Sequence, residues 1–438
     1  MGVIYGIISE LHGGVGDSER WEIFLNNQGV IGRGRGEQGS SGNKDPLTKG
    51  GFFMASKIWR SVGVIFFFFM AFTVPSVPAA ETLPNLPDRM FWTAYDVGST
   101  GYVQTATIAD GLMKKYGTKI RVIPSGTSIG RFMPLLTGSA TYANMGDESA
   151  FYIEGLYESN VMGMGPQPLR QVVAVPFVTV MAVTKESKIT TPDTLKGKRV
   201  AWVMGASTLN VKAISTLAFA NLTFADVTKV DFPSYAAALR GLIEGKVDGA
   251  IAGHDAPLLY ELESSPRGCT HVIYPHKDKA GWARMQAITP WLGQTLWDSG
   301  PGFTKGKPDE VWSYRYPNMA TFEKTSAAET YALAKAINEA YPLYQGAHKA
   351  MPFWKADKSG VPPGNCPFHE GAVKYYKEIG VWKPEHDAWN NKLIEHMKAV
   401  RKEWDAVVVE ATEKGIKEKD FSKFWVERRK AKGWMIEY

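Results

Sequence analysis

From Met90 onward, short β-branched and aromatic runs alternate with amphipathic stretches. Residues 91–95 predict a strand, followed by a Gly/Ser/Thr loop and a helix over 103–116. Residues 119–124 predict a second strand, again followed by a small-residue loop and a short helix over 131–136. A third strand spans 141–145, and Asp147-Glu148-Ser149 opens a third helix. Strand, small polar loop and helix, three times over, is the pattern of parallel βαβ units. Sheets of this kind place ligands at the carboxyl ends of their strands, where those loops lie.

A second set begins near Pro176. It comprises a strand over 177–184, a turn into a strand at 199–203, and Met204-Gly-Ala-Ser-Thr208 leading into a helix to about Ala220. A strand at 229–232, a helix over 235–244 and a strand over 247–252 follow, the last running into Gly253-His254-Asp255. Two α/β sets predict two lobes: residues 81–175 with a return at 315–345, and residues 176–314. Past Gln286 the pattern loosens. From Ser326 it turns helical, with charged amphipathic stretches over 326–343 and 383–414, so that 346–438 reads as a helical C-terminal extension.

Residues 1–53 stand apart, with 13 glycines and almost no apolar periodicity. Then Met54-Ala-Ser-Lys57-Ile-Trp-Arg60 is basic, 62–74 is apolar, and Val77-Pro-Ala-Ala80-Glu81 supplies small residues before a polar start. These are the three parts of a secretory signal peptide, over 54–80, with cleavage after Ala79 or Ala80. An uncleaved anchor is the rival reading, and 1–53 is expected to be an upstream, misassigned start. Beyond residue 80, 43 Lys and Arg face 38 Asp and Glu. The basic residues are dispersed except over 423–432, which excludes a nucleic-acid surface. Cys269 and Cys366 both fall in the exported portion, where a disulfide between them is an open alternative.

Three loops carry the candidate chemistry: Gly98-Ser-Thr-Gly101-Tyr102, Ser125-Gly-Thr-Ser-Ile-Gly130 and Gly205-Ala-Ser-Thr208. Each would offer backbone N–H groups and short hydroxyls at a helix start, a cradle for an anionic or polar ligand. The plainer alternative is that each Ser or Thr caps its own helix; three such loops after strands in two α/β sets favour a shared cleft. Gly126-Thr-Ser128-Ile-Gly130 also matches the G-x-S-x-G nucleophile elbow of α/β-hydrolases, though it follows only the second strand and no HGGG-type segment precedes it. His254-Asp255 and the pair His271/His276 lack metal-ligand spacing. Asp147 and Glu148 read as a carboxylate pair or, more simply, as charges favoured at a helix start. Ten of the fourteen tryptophans lie from Trp282 on, a sugar-stacking platform or, more simply, packing between core and lobes.

With these loops located, the chain over 91–341 resembles the TAXI-type solute-binding proteins of tripartite ATP-independent periplasmic (TRAP) transporters. The resemblance rests on Gly98-Ser-Thr-Gly101-Tyr102; on Ile123-Pro-Ser-Gly-Thr-Ser128 with Leu136-Thr-Gly138 and Met145-Gly-Asp147; on Thr194-Leu-Lys-Gly-Lys-Arg-Val200 with Gly205-Ala-Ser-Thr208; and on Leu242-Ile-Glu-Gly-Lys-Val-Asp-Gly-Ala250 with Gly253 and Pro257. Arg131 and Ala206-Ser207 depart from the family's pattern. The resemblance implies a type II periplasmic-binding-protein fold, two α/β lobes joined by a hinge. It further implies a monomer that closes over a glutamate-like acid or amino acid in the periplasm and delivers it to an integral-membrane TRAP subunit, with small and large components fused.

On this reading Gly98, Ser99, Thr100, Tyr102, Ser125, Gly126, Thr127, Ser128 and Asp147 bind ligand from the first lobe, and Gly205, Ala206, Ser207, Thr208 and Gly253 from the second. Tyr102 would cover the ligand, and Arg131 would pair with a second acidic group or stay solvated. No cofactor, metal or catalytic residue is expected. An ABC-type or sensor-associated binding protein is the alternative within the class, and an exported serine hydrolase using Ser128 the alternative outside it.

Overall fold

A computed structural model describes residues 81–435 and Glu437; the glycine-rich head and the signal-peptide segment lie outside the described residues. The first half begins as β1 (Arg89–Ala94), α1 (Thr100–Tyr116), β2 (Lys119–Pro124), α2 (Ser128–Leu136), β3 (Tyr142–Met145) and α3 (Glu148–Glu154). Strands β1, β2 and β3 are parallel, with Trp92 beside both Val122 and Tyr142. Helix α1 starts at Ser99, whose Oγ accepts the Tyr102 N–H, and stops at Gly117, which takes a left-handed φ of 71°.

The chain then runs through β4 (Leu169–Thr184) into β5 (Arg199–Val203), α4 (Ser207–Phe219), β6 (Thr228–Phe232), α5 (Tyr235–Ile243), β7 (Gly249–Gly253), α6 (Pro257–Ser264), β8 (Cys269–His271), α7 (Lys279–Ile288) and β9 (Gly293–Trp297). It returns through β10 (Asp309–Phe322) to α8 (Ala327–Tyr344), α9 (Glu370–Glu378), α10 (Pro384–Glu413) and α11 (Glu418–Ala431). The strand order is β2-β1-β3-β10-β4-β7-β5-β6, with β8 beside β4 and β9 beside β10. A parallel 2-1-3 set closed by an antiparallel returning strand, joined to a second α/β set, is the type II periplasmic-binding-protein arrangement.

Strands β4 and β10 are antiparallel and extend through both sets, and they change partners midway. Ala143–Met145 of β3 pairs with the end of β10, whereas Gly249–Gly253 of β7 pairs with the second part of β4. The β4–β10 register breaks between Arg315 and Asn318, opposite Pro176 and next to Pro317. Neither proline can donate to the ladder, so pairing is weakest there.

The described residues pack into three cores. Val180, Met181, Leu217, Leu239, Leu242 and Trp312 fill one. Trp92, Ile108, Leu112, Val173, Leu333 and Tyr376 fill another, and Phe132, Tyr152, Trp404 and Trp425 a third. The third core is closed by α10 and α11 and takes in Val211 and Ile288 of the second half, so the C-terminal helices pack into a core shared by both halves.

Several elements differ from expectation. Strand β4 starts at Leu169 rather than 177, because 169–175 is buried against β10 and Pro176 only interrupts it. Strands β8, β9 and β10 were not legible; Arg315, Pro317 and Asn318 break the alternation of β10. Cys269 and Cys366 are free thiols in different cores, so no disulfide joins them.

Candidate functional site

The loops after β1, β2, β5 and β7 meet between the two halves. At two of them the hydroxyls do cap: Ser99 caps α1, and Thr127 Oγ1 accepts the Gly130 N–H at 3.1 Å to cap α2. At the starts of α2, α5 and α4 the open helix ends are met by groups of the opposite half. Ser128 N–H donates to the Gly205 carbonyl at 2.8 Å. Ala236 N–H, at the start of α5, donates to Asp96 Oδ2 at 2.9 Å. Ser207 N–H, at the start of α4, donates to Glu158 Oε1 at 2.8 Å. A carboxylate at a helix N-terminus is favoured by the orphan N–H groups and the dipole; here the protein supplies those carboxylates itself.

Asp147 ties the two halves together at this seam. Its carboxylate accepts hydrogen bonds from Thr208 Oγ1, Lys212 Nζ and Trp291 Nε1, all from the second half. Lys212 also donates to the Thr208 carbonyl (2.9 Å) and Oγ1 (3.0 Å), so all three ammonium donors are engaged. Burial lowers the Lys212 pKa, and Asp147 opposes that shift. Arg131 is fully buried; its Nε and Nη2 donate to Glu148 Oε1 at 3.0 and 2.6 Å, and Nη1 to the Ser125 carbonyl at 3.2 Å. Its guanidinium lies 3.3 Å from the Tyr95 ring centroid. Burial is the largest single influence and works against the Arg131 charge, but Glu148, Tyr95 and Tyr316 together outweigh it and keep the pKa raised. Burial also pushes the Glu158 carboxyl up.

Beside this seam is a narrow cavity of about 20 Å³, room for about one water. Its walls are the rings of Tyr95, Phe177, Tyr235, Tyr314 and Tyr316 with Leu209 and Ile251, and its polar rim is Ser99, Thr100, Thr179, Gly253 and Lys212. Thr100 Oγ1 donates to Asp255 Oδ1 at 2.7 Å, joining the halves at this end. Gly101 has to be glycine: an added Cβ would sit 1.7 Å from the Tyr316 hydroxyl.

The structure thus divides the expected site residues. Ser99, Thr100 and Gly253 line the cavity, and Gly98 turns at a left-handed φ of 95° against Leu258. Ser125, Gly126, Thr127, Ser128, Gly205, Ala206, Ser207 and Thr208 come together at the seam, where the Ser128 N–H bonds to the Gly205 carbonyl, the Ser207 N–H to Glu158 and the Thr208 hydroxyl to Asp147. Tyr102 does not cover the cavity; it lines an outer groove with Ala106, Asp110 and Met113. Arg131 is neither solvated nor free for a ligand acid, because Glu148 neutralises it. Ser128 Oγ is buried and has no hydrogen-bond partner among the described residues, so none of them stands as a base to activate it. Among the described residues no three His, Cys, Asp or Glu gather as metal ligands; His271 instead lies 3.1 Å from Asp309.

Sequence reasoning missed Tyr95, Glu158, Phe177, Lys212, Tyr235, Tyr314 and Tyr316. Only Lys212 left a usable signal: it is the one charge in the apolar helix α4, one turn after Thr208, and a buried cation needs a partner.

Two sheet halves bridged by paired long strands, with strand-end loops facing each other across an aromatic cavity, define a two-lobed ligand-binding architecture. The chain belongs to the NMT1-like family, whose model matches residues 97–380. No curated protein matches it in sequence. Among solved structures it is similar to the alkanesulfonate-binding protein of Xanthomonas axonopodis bound to MOPS, at 16% identity, 73% of this chain, 93% of that chain and a TM-score of 0.39. It is also similar to the aliphatic sulphonate binding protein of Escherichia coli (16%, 72% and 88% covered, TM-score 0.37). A third match is an amino acid ABC transporter substrate-binding protein of Streptococcus pneumoniae bound to L-arginine (14%, 60% and 96% covered, TM-score 0.35).

Proposed function

We propose that this chain is the exported solute-binding component of a membrane transport system, capturing one small organic molecule between its two halves and presenting it to a membrane partner. The observation that carries this reading is the cavity: residues of both halves wall it, including Tyr95, Ser99 and Thr100 from one and Leu209, Tyr235 and Gly253 from the other. A solute there gains contacts from both halves only when they are together, so it stabilises closure by that difference. Export to the periplasm, by a signal peptide over 54–80, belongs to the same proposal, as does action as a monomer.

For the delivery partner we place an ABC-type permease first, the kind of transporter named for the Streptococcus pneumoniae protein. The fused TRAP subunit and glutamate-like ligand implied by the TAXI resemblance stand second. Reconstitution of the neighbouring membrane component separates them: transport driven by ATP hydrolysis supports the first, and transport driven by a sodium gradient overturns it.

The binding reading is tested by thermal-shift screening of residues 81–438 against small metabolites of every charge. A compound at about 100 times its Kd stabilises the folded form by about 2.7 kcal/mol. At least one compound is expected to raise the Tm, and the shift should shrink in Leu209→Trp, which fills the cavity. A library that leaves the Tm unmoved would sink the proposal.

A further inference from the structure

The loops between the halves are stitched by backbone groups that their own helices cannot serve. Ser128, Ser207 and Tyr235 are the first residues of α2, α4 and α5, and Ala236 is the second of α5, so helical geometry leaves their N–H groups without an intrahelical acceptor. Each finds one across the seam: Ser128 on the Gly205 carbonyl, Ser207 on Glu158, Tyr235 on the Gly126 carbonyl at 3.2 Å and Ala236 on Asp96. Ala206, which precedes α4, has no side-chain oxygen to offer, so Glu158 of the opposite half caps that helix. These four amides therefore report whether the seam is shut.

The same contacts are incompletely satisfied. Ser128 Oγ, Glu158 Oε2 and Asp255 Oδ2 belong to residues that bond across the seam, yet each is buried without a hydrogen-bond partner. Water would serve all three in an open seam, so shutting it costs free energy at each.

At the centre stands the Asp147–Lys212 pair, one ion from each half, with side chains 0% and 1% exposed. Shutting the seam strips water from both. Their attraction and the Thr208 and Trp291 hydrogen bonds to Asp147 offset much of that cost, whereas apolar side chains of similar volume would fill the same space without it. Burial lowers the Lys212 pKa against the pull of Asp147, as expected of an ammonium whose partner does not offset all of its lost hydration. Apolar contact holds the other side: Val211 and Ile288 of the second half enter the core closed by α10 and α11, independently of the ion pair.

We propose that Asp147 and Lys212 form a releasable latch: paired, they shut the polar side of the seam, and because each ion regains water when they part, the seam opens locally while both halves stay folded. The latch rests on the solute-binding reading above, for which local opening is the way in and out between the halves. Its pair serves release rather than stability, so an apolar replacement should lock the seam.

Native-state amide exchange of residues 81–438, followed residue by residue by NMR, tests it. In the parent the N–H groups of Ser128, Ser207, Tyr235 and Ala236 are expected to exchange at least about tenfold faster than those of β5, which lies wholly inside the second half. Asp147→Asn keeps an oxygen for Thr208 but leaves the ammonium unpaired, and should speed the four, relative to β5, by at least about another tenfold. Asp147→Leu with Lys212→Met should slow the four by at least about tenfold from the parent. If Asp147→Asn does not fold, the double variant, which buries no charge, decides by itself. Exchange in the double variant as fast as in the parent overturns the latch. So does exchange of the four at the β5 rate in the parent, since the seam would then open only with unfolding. The metabolite screen judges the solute-binding reading separately: a compound that raises the Tm keeps that reading whether or not the latch stands, and a silent library removes it whatever the amides do.

Discussion

Glu154 and Glu158 are four residues apart and respond to pH in opposite senses. Burial alone would raise the Glu154 pKa, but the His396 Nε2 contact at 2.8 Å and the Arg429 guanidinium outweigh it and hold the carboxyl below its usual range. A lowered folded-state pKa means stability that is complete above the unfolded value, about 4.3, and lost as pH falls through the folded one. Glu154→Gln should flatten the acid limb of a stability profile measured by urea midpoints. Glu158 is pushed the other way by burial, so its contribution is present in acid and lost as pH rises through its folded-state pKa. Glu158→Gln keeps an acceptor for the Ser207 N–H, and its urea midpoint at pH 7 should equal or exceed the parent's, with no advantage in acid; a clear loss at pH 7 would count against this assignment. Asp147 belongs to the same scale. Asp147→Ala strands the buried Lys212 ammonium and is expected to cost about 3–5 kcal/mol, whereas Asp147→Leu with Lys212→Met should recover most of that loss.

Among the elements, α10 and α11 are the ones whose role depends on packing rather than on their own propensity. Trp404 and Trp425 are buried with ring centroids 5.0 Å apart, in the core that also holds Phe132 and Tyr152. Trp425→Ala should lower unfolding free energy by about 3–5 kcal/mol, read from urea curves followed by far-UV circular dichroism; a change under about 0.5 kcal/mol would mean that α11 is an appendage. The parallel units were legible because each carries local signals: β2 spans 119–124 as its β-branched run predicts, and α1 starts beside a Ser cap. The returning strand β10 was not, since its pairing with β3 and β4 is set by residues more than a hundred positions away. The site divides along the same line. Small-residue loops could be read from composition, but Tyr95, Tyr314 and Tyr316 look like ordinary core aromatics until the residue after β1 and the middle of β10 meet around the cavity, with the Tyr95 and Tyr316 ring centroids 5.3 Å apart. That Glu158 would occupy a helix start across the cleft has no local signature at all.

At the scale of the whole molecule, the two thiols report on how the halves are held. Burial pushes both Cys269 and Cys366 up to about 12, and they sit in separate cores. Iodoacetamide should leave the native protein unlabelled at pH 8 and add two equivalents after unfolding without reductant; a mass two hydrogens short of the free-thiol value would contradict the arrangement. With no covalent tie, the halves are joined by β4 and β10 and by the loop contacts at the seam. The β4–β10 break near Pro176 and Pro317 lies beside Tyr316, which also walls the cavity and touches Phe177 with ring centroids 5.0 Å apart. On the proposed binding reading, a solute pressing on the Tyr316 ring would act where the two long strands are least well paired, and the angle between the halves would then vary with the size of the solute.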